Sequence, residues 1–477
     1  MGDPSGVRRE RAADEGATLT QNPSPALTRA LSPLEYFAFG FGSMVGVGWL
    51  VVMDDWLARG GPAGAMLGFA IGGLLLLPVA LTYGRLVRDI PDAGAEVAYT
   101  EGAFPPLASF GTGWIMVLAY AIVCPWEAVA IGNLLARVFP ALNSHALYAV
   151  AGRTIFAPRL AAGLALTALI AIVNVRGIRP SGRFQAVTTL GLLACFIVFV
   201  ALGFARGSAR HLEPLFARPG TAGAFGSVLL VAQIVPYFMT GFESVAKGSE
   251  EAAPGFDPRG FGRAMTRAVL VGAAFYVLII AAVSFVFPWR DLVAGRLGTE
   301  AAFARAFGSD AIARFILFAA FLSLLKVFNG NFVAATRLLY AMGRRRLIHP
   351  TVARIHPRWG TPAVAIGLLT LFTIAGACLG DALLVPISEV GSLAAGVGWC
   401  AACLALMVRA RRAGTRSGTR LAMLGATVSA AIVLMKVVPA VPGSFTGAEW
   451  VALGGWVVLG LALSVGRWRA GQDGGRR

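Results

Sequence analysis

The stretch Gly40-Phe41-Gly42-Ser43-Met44-Val45-Gly46-Val47-Gly48 decides how this chain is read. It lies in an apolar run over residues 36–57 with no charge from Tyr36 to Met53, so the run belongs inside a membrane. Its four glycines fall where a lipid-facing helix favours Leu, Ile and Val. Each weakens a helix by about 1 kcal/mol relative to alanine. Two readings are open. Either the glycines form a seam where another helix packs close, or they mark a break whose free N–H and C=O groups meet a ligand. At membrane depth such groups are tolerated only beside protein or a water-filled cavity.

The rest of the chain supports a membrane setting. Of 477 residues, 57% are hydrophobic and only 14% are charged, against roughly a quarter charged in soluble domains. Apolar runs fall near residues 36–57, 63–83, 107–135, 160–175, 184–204 and 225–246, then 264–287, 311–339, 362–379, 383–408, 421–438 and 448–465. The expectation is an all-α integral membrane protein with about twelve transmembrane helices. With the N-terminus placed in the cytoplasm, 28 Lys and Arg lie in connections on that side and 11 on the other. Lys326 and Lys436 are inside spans. The net charge of +17 is therefore a topology signal rather than a nucleic-acid footprint. It predicts a multi-pass protein of the cytoplasmic membrane with both termini cytoplasmic. Residues 1–30 are polar, lack a signal-peptide core and read as a disordered cytoplasmic tail; residues 468–477 form a second tail.

Enzyme chemistry finds no footing. Cys124, Cys195, Cys378, Cys400 and Cys403 all lie in apolar stretches. Cys400 and Cys403 make a lone C-x-x-C without a second pair, so they read as packing residues and no metal is expected. His145, His211, His349 and His356 are in connecting loops, and no phosphate-binding Walker loop occurs. No enzyme activity and no cofactor are expected.

The sixth run carries its own interruption, Pro236-Tyr237-Phe238-Met239-Thr240-Gly241-Phe242-Glu243. Five spans separate the start of one interrupted run from the start of the other, so the second copy is inverted in the membrane. Interrupted helices at matching positions of two inverted halves point to a transporter's binding site. The pairing favours the break over the seam. It divides the chain into residues 31–205 (spans one to five), 206–410 (spans six to ten) and 411–467 (two appended spans).

Four segments resemble the amino acid–polyamine–organocation permease superfamily. They are the glycine stretch 42–48 and Pro91-Asp92-Ala93-Gly94-Ala95-Glu96-Val97-Ala98-Tyr99 after the second span. They continue with Thr240-Gly241-Phe242-Glu243 through Glu250-Glu251 to Pro258-Arg259, and with Thr336-Arg337 through Gly343-Arg344 followed by His356-Pro357. The resemblance implies a leucine-transporter-like fold: a five-plus-five inverted repeat with discontinuous helices one and six. It also implies secondary transport of amino acids or related amines. Gly84-Arg85 and Gly94-Ala95 depart from the family pattern. So does Thr188–Leu192, which lacks the lysine that some proton-coupled members carry in helix five.

An amino-acid zwitterion needs donors for its carboxylate and acceptors for its ammonium, and a broken helix offers both. The expected carboxylate end is the backbone of Gly42, Ser43, Met44, Val45 and Gly46, with N–H groups from Ser43 to Gly46 donating and the Ser43 hydroxyl assisting. Carbonyls of Gly40, Phe41 and the Phe238–Thr240–Gly241 segment are expected to receive the ammonium. Phe238 and Phe242 are expected to close over the ligand or stack on a cation; ordinary packing is the alternative. Glu243 either tethers the second break or takes part in proton coupling. Ionisable groups inside spans are costly and so are candidates for function. Glu127 suits a cationic substrate group or a proton. Lys326 suits coupling, its ammonium standing where a sodium ion binds in relatives of this fold. Glu389, Lys436, Asp54 and Asp55 are weaker candidates.

The sequence thus predicts a proton-coupled amino-acid symporter working by alternating access on a small-molecule substrate, with sodium as the other possible coupling ion and no protein partner evident. The alternatives are an amine, polyamine or ethanolamine exchanger or exporter of the same fold, and a membrane-embedded amino-acid sensor.

Overall fold

The computed structural model describes residues 27–441 and 444–473; side chains at 381–389, 417 and 463–473 lie outside that description. The expected tail up to residue 26, the last four residues and the Glu389 side chain therefore fall outside it. Among the described residues, ten helices are long and apolar enough to cross a membrane, and two shorter apolar helices, Ala363–Leu379 and Gly447–Ala462, accompany them. They occupy the twelve runs read from the sequence.

The first helix, Pro33–Met44, starts on a capping box. The Ser32 hydroxyl accepts from Glu35 N at 3.4 Å and the Glu35 carboxylate accepts from Ser32 N at 2.7 Å, with Pro33 opening the first turn. The helix ends where Val45 turns extended (φ −88°, ψ 95°), and helix resumes at Gly48–Val51 and Met53 onward. Gly61, at φ +64°, turns the chain between the first and second spans.

Prolines explain three further interruptions, because each lacks the N–H that its i−4 carbonyl needs. Pro78 cannot donate to the Leu74 carbonyl, and the second span kinks at Leu76, whose N–H turns back to Gly73 and Leu74. Pro125 cannot donate to Ala121, where the third span divides into Pro106–Ala121 and Val123–Val138. Pro236 cannot donate to Ala232, which ends Gly220–Ala232 ahead of Val235–Met239. Beyond Met239 the sixth span breaks a second time and resumes as the short helix Ser244–Lys247.

The first helix packs against Arg259–Val286, Ile178–Arg206 and Asp310–Arg344. The first broken span is thereby held in the interior, whereas Gly220–Ala232 of the sixth lies mostly exposed. The only strands among the described residues, Ala146–Val150 and Arg153–Phe156, form an antiparallel hairpin in the connection after the third span.

Candidate functional site

At the first break the orphaned carbonyls are taken by side chains of the Asp310–Arg344 helix. The Lys326 ammonium donates to the Gly42 carbonyl at 3.3 Å and to that of Val45. The Ser323 hydroxyl lies 2.9 Å from both the Val45 and Gly46 carbonyls, and Asn331 Nδ2 donates to Ser43 O at 3.2 Å. Three polar side chains on one helix thus hold the open end of another, which is what membrane depth demands of irregular backbone.

At the second break Thr240 is extended and Gly241 has φ +122°, a conformation that glycine adopts without strain. Its partners are close in sequence. Thr240 Oγ donates to Pro236 O at 2.7 Å, Gly241 N to Glu243 Oε2 at 3.1 Å, and Ser244 N to Gly241 O at 3.0 Å. The two breaks touch. A Cβ on Gly241 would lie 2.7 Å from the Ser43 carbonyl, and the Ser43 and Ser244 hydroxyls are 3.2 Å apart.

A cavity of about 300 Å³ lies against both breaks. Ser43, Gly46 and Gly48 line it from the first and Phe238 and Thr240 from the second, with Glu127 and Trp126 across from them. It reaches Asp55, Arg59 and Lys436 at the ends of their helices. One Glu127 oxygen is buried with no hydrogen-bond partner. On the wall beside it, Phe238 packs edge-on to Trp56 at 4.8 Å.

The other side of the breaks, where the arginine-rich connections lie, is filled. Lys247 and Glu96 form a fully buried ion pair, and the Tyr83 hydroxyl donates to Glu96 at 2.6 Å. The Lys247 ammonium also lies over the Tyr120 ring at 4.8 Å. Arg337 grips Glu251 through two bonds of 3.0 and 3.1 Å, again fully buried. Further out, Arg344 and Arg345 clamp Asp92, Glu101 and Glu250. The Glu251 carbonyl takes the N–H groups of Ala30 and Leu31, so residues just before the first helix join the closure.

The structure redistributes the expected site residues. The opening choice between seam and break divides by position. Gly40 packs on Ala268 and Val245 and Gly42 packs on Gln185, as in a seam, whereas Gly46 opens on the cavity with Glu127 3.8 Å from where a Cβ would stand. Ser43 and Met44 close the last turn of the helix, and Val45 N donates to Phe41 O, so the N–H groups of Ser43 to Val45 are taken up within the helix. The Phe41 carbonyl is thereby occupied too, and the Phe238 carbonyl accepts from the Tyr276 hydroxyl at 3.1 Å.

Phe242 is not a cavity wall. It is fully buried against Trp399 and Tyr83. In a continuous helix Phe238 and Phe242 would share a face, and the break between them cancels that phase. Glu243 is likewise turned from the cavity, bonded to Gly241 N and to the Tyr120 hydroxyl at 3.1 Å. Asp55 pairs with Arg59 at the cavity's far end.

Sequence reasoning passed over Ser323 and Asn331, although both are polar residues within an apolar span close to Lys326. It also missed a buried amide network in which Asn329 bonds Asn174 at 2.9 Å, Ser181 at 3.1 Å and Gln185 at 2.8 Å. Gln185 reaches on to Ala38 O at 3.2 Å. The fifth-span neighbourhood without a lysine thus meets the first helix through an amide.

A family model described as amino acid permease matches residues 36–443. The chain is also similar to proteins of Bacillus subtilis (strain 168). It is 26% identical to the methylthioribose transporter, over 72% of this chain and 73% of that one. It is 26% identical to the branched-chain amino acid permease BcaP, over 77% of each. It is 24% identical to the amino-acid permease RocE, over 84% and 85%.

Proposed function

The chain belongs to the amino acid permease family, a family of membrane transporters rather than enzymes, and on that premise we propose that it is a secondary active transporter coupling amino-acid movement to protons. The reading places it in the cytoplasmic membrane, with twelve spans, a five-plus-five inverted repeat, both termini cytoplasmic and alternating access around the two breaks. The cavity open on one side of the breaks, with buried ion pairs on the other, supports a state that faces outward.

The observation that carries the coupling is Lys326 on the carbonyls of Gly42 and Val45. Its ammonium stands where a coupling cation would meet the broken helix. While protonated it closes the carbonyl end of the break. Once neutral it holds those carbonyls only through weaker, uncharged N–H bonds and loosens its grip on the first helix. The substrate's carboxylate is assigned to the N–H groups from Gly46 onward, at the positive end of the resumed helix. Its ammonium is assigned to the oxygens of Ser43 and Thr240 on the cavity wall.

The unpartnered oxygen of Glu127 favours a second reading, a cargo with an additional cationic group, as in an amine exchanger or exporter. The relatives' printed cargoes differ at nearly equal identity and do not choose among substrates.

The test is uptake of labelled neutral and cationic amino acids and amines into proteoliposomes under a pH gradient or a sodium gradient of equal size. The proposal expects the pH gradient to drive uptake in the native protein and to fail in Lys326→Ala. Full pH-driven uptake by Lys326→Ala would remove this lysine from coupling, and uptake that follows sodium alone would remove the proton. If no amino acid or amine moves, the transport assignment falls.

A further inference from the structure

A second chamber, of about 440 Å³, lies beside the substrate cavity and reaches the connection after the third span. Val47, Val51 and Trp126 line both spaces, so the two share a wall at the first break. The rest of the chamber's lining is apolar except for Asn133, Arg137, Asn143 and Arg159. Arg137 is paired with Glu300. Arg159 has no carboxylate partner among the described residues. Its Nη1 donates to Asn133 Oδ1 at 3.1 Å, its Nη2 donates to Asn143 Oδ1, and its guanidinium carbon lies 4.9 Å from the centre of the Phe156 ring. Amide oxygens and a ring face accept the cation without cancelling its charge. Two of five N–H donors are used in this way, and the Nε–H is buried without an acceptor.

The fold, and not a counter-ion, sets where this guanidinium stands. A Cβ on Gly132 would lie 2.6 Å from the Arg159 carbonyl, so the third and fourth spans touch backbone to side where Arg159 is rooted. Asn133 follows Gly132 on Val123–Val138, and Asn143 ends the short helix Pro140–Asn143 in the connection. Both amides therefore come from segments that are fixed relative to the start of Ala157–Val175, which carries the arginine. A buried donor left without a partner is uncommon in native structures and calls for a reason. A guanidinium offers a planar fork of donors that matches a carboxylate. Held by neutral acceptors at the wall of an open chamber, it keeps its charge for an anion that arrives.

We propose that Arg159 is a staging site for the carboxylate of the amino-acid substrate, which rests in this chamber before it enters the substrate cavity. The proposal rests on the transport reading above, in which the carboxylate ends at the N–H groups from Gly46 onward. Val47, the next residue, already lines the chamber, so the carboxylate passes from a guanidinium to the positive end of a helix along one wall.

The first measurement needs no transport. The melting temperature of the purified full-length protein would be followed in millimolar propionate, propionamide or chloride. Propionate carries the carboxylate without the ammonium and is expected to stabilise the native protein, whereas propionamide and chloride are not. The gain should vanish in Arg159→Gln. It should vanish also in Asn143→Asp, which keeps the arginine and gives it a carboxylate of its own. The second measurement is uptake into proteoliposomes of labelled leucine and lysine, with labelled putrescine as a cargo that lacks a carboxylate. For the amino acid that the native protein carries, both variants should raise KM about tenfold and keep kcat, the loss of one charge-assisted bond. Any KM for putrescine should stay where it is. No stabilisation of the native protein by propionate overturns the proposal, and so does an unchanged KM in both variants. Equal stabilisation by chloride would assign the arginine to an inorganic anion and overturn it as well. If none of the three cargoes moves, the transport reading fails by itself, and the propionate result alone decides the carboxylate site.

Discussion

The two breaks look alike in sequence and are held in opposite ways. The first borrows its partners from a helix almost 280 residues away, through Ser323, Lys326 and Asn331. The second supplies most of its own, since Thr240, Gly241 and Ser244 bond to Pro236, Glu243 and each other, and Tyr276 and Phe39 add single bonds from elsewhere. On the proposed mechanism, a break closed by a distant lysine opens when that lysine changes its proton or its position. On the same mechanism, a break closed by neighbours in sequence keeps its shape while the body around it moves. The difference teaches where to look for the moving part: on the proposed mechanism the first break is the joint and the second the fixed elbow.

The sharpest way to break this comparison is to place the same methyl group in each. Gly241→Ala puts a Cβ 2.7 Å from the Ser43 carbonyl at a φ of +122°. Strain at such a φ costs about 1–3 kcal/mol, and the clash is with backbone that cannot step aside. The expected loss is about 3 kcal/mol or more, seen as a clear fall in melting temperature together with loss of uptake. Gly46→Ala meets nothing closer than 3.8 Å and should melt within about 0.5 kcal/mol of the native protein. The bulkier Gly46→Val projects toward Glu127 and should insert normally yet carry no substrate. Equal melting of Gly241→Ala and Gly46→Ala would erase the distinction between elbow and joint.

Lys326→Ala comes next. It leaves the Gly42 carbonyl without its ammonium donor and costs about 1–3 kcal/mol for the buried group exposed to no partner. The larger readout is functional, an expected loss of at least tenfold in pH-driven uptake. A variant that is merely less stable, with the pH dependence of uptake unchanged, would make the lysine a strut.

How much of this was legible follows from what a sequence carries. The broken spans were visible because Gly42–Gly48 and Pro236–Glu243 interrupt apolar runs, whereas the kinks at Pro78 and Pro125 were passed over. Lys326 stood out because an ionisable group in a span is costly. The faces were not legible. Ser323 and Asn331 are ordinary polar residues until the helix is rotated toward the first break, and that rotation is set by packing. Phe242 was misassigned for the same reason, because the turn at Gly241 sets its direction and the spacing to Phe238 does not.

Glu243→Gln tests the elbow at smaller cost. The carboxylate accepts from both Gly241 N and the Tyr120 hydroxyl. An amide keeps one accepting oxygen and turns an NH₂ toward one of those donors, for an expected loss of about 1–2 kcal/mol. Because this side chain faces away from the cavity, the pH profile of uptake should keep its shape. A displaced profile would move Glu243 into the coupling chain and make the second break a joint too.

The smallest effect belongs to Ser323→Ala, and it is the most discriminating within the first break. The Val45 carbonyl would still have Lys326, whereas the Gly46 carbonyl would lose the hydroxyl 2.9 Å away. A net hydrogen bond contributes about 1 kcal/mol, so stability should fall by no more than that. The Gly46 carbonyl lies beside the cavity, where substrate affinity is felt first. The expected signature is a KM raised severalfold with the pH dependence of uptake unchanged, since Lys326 keeps its two carbonyls. A changed pH dependence with KM intact would mean that the serine serves the lysine instead, and that coupling and substrate share one end of the break.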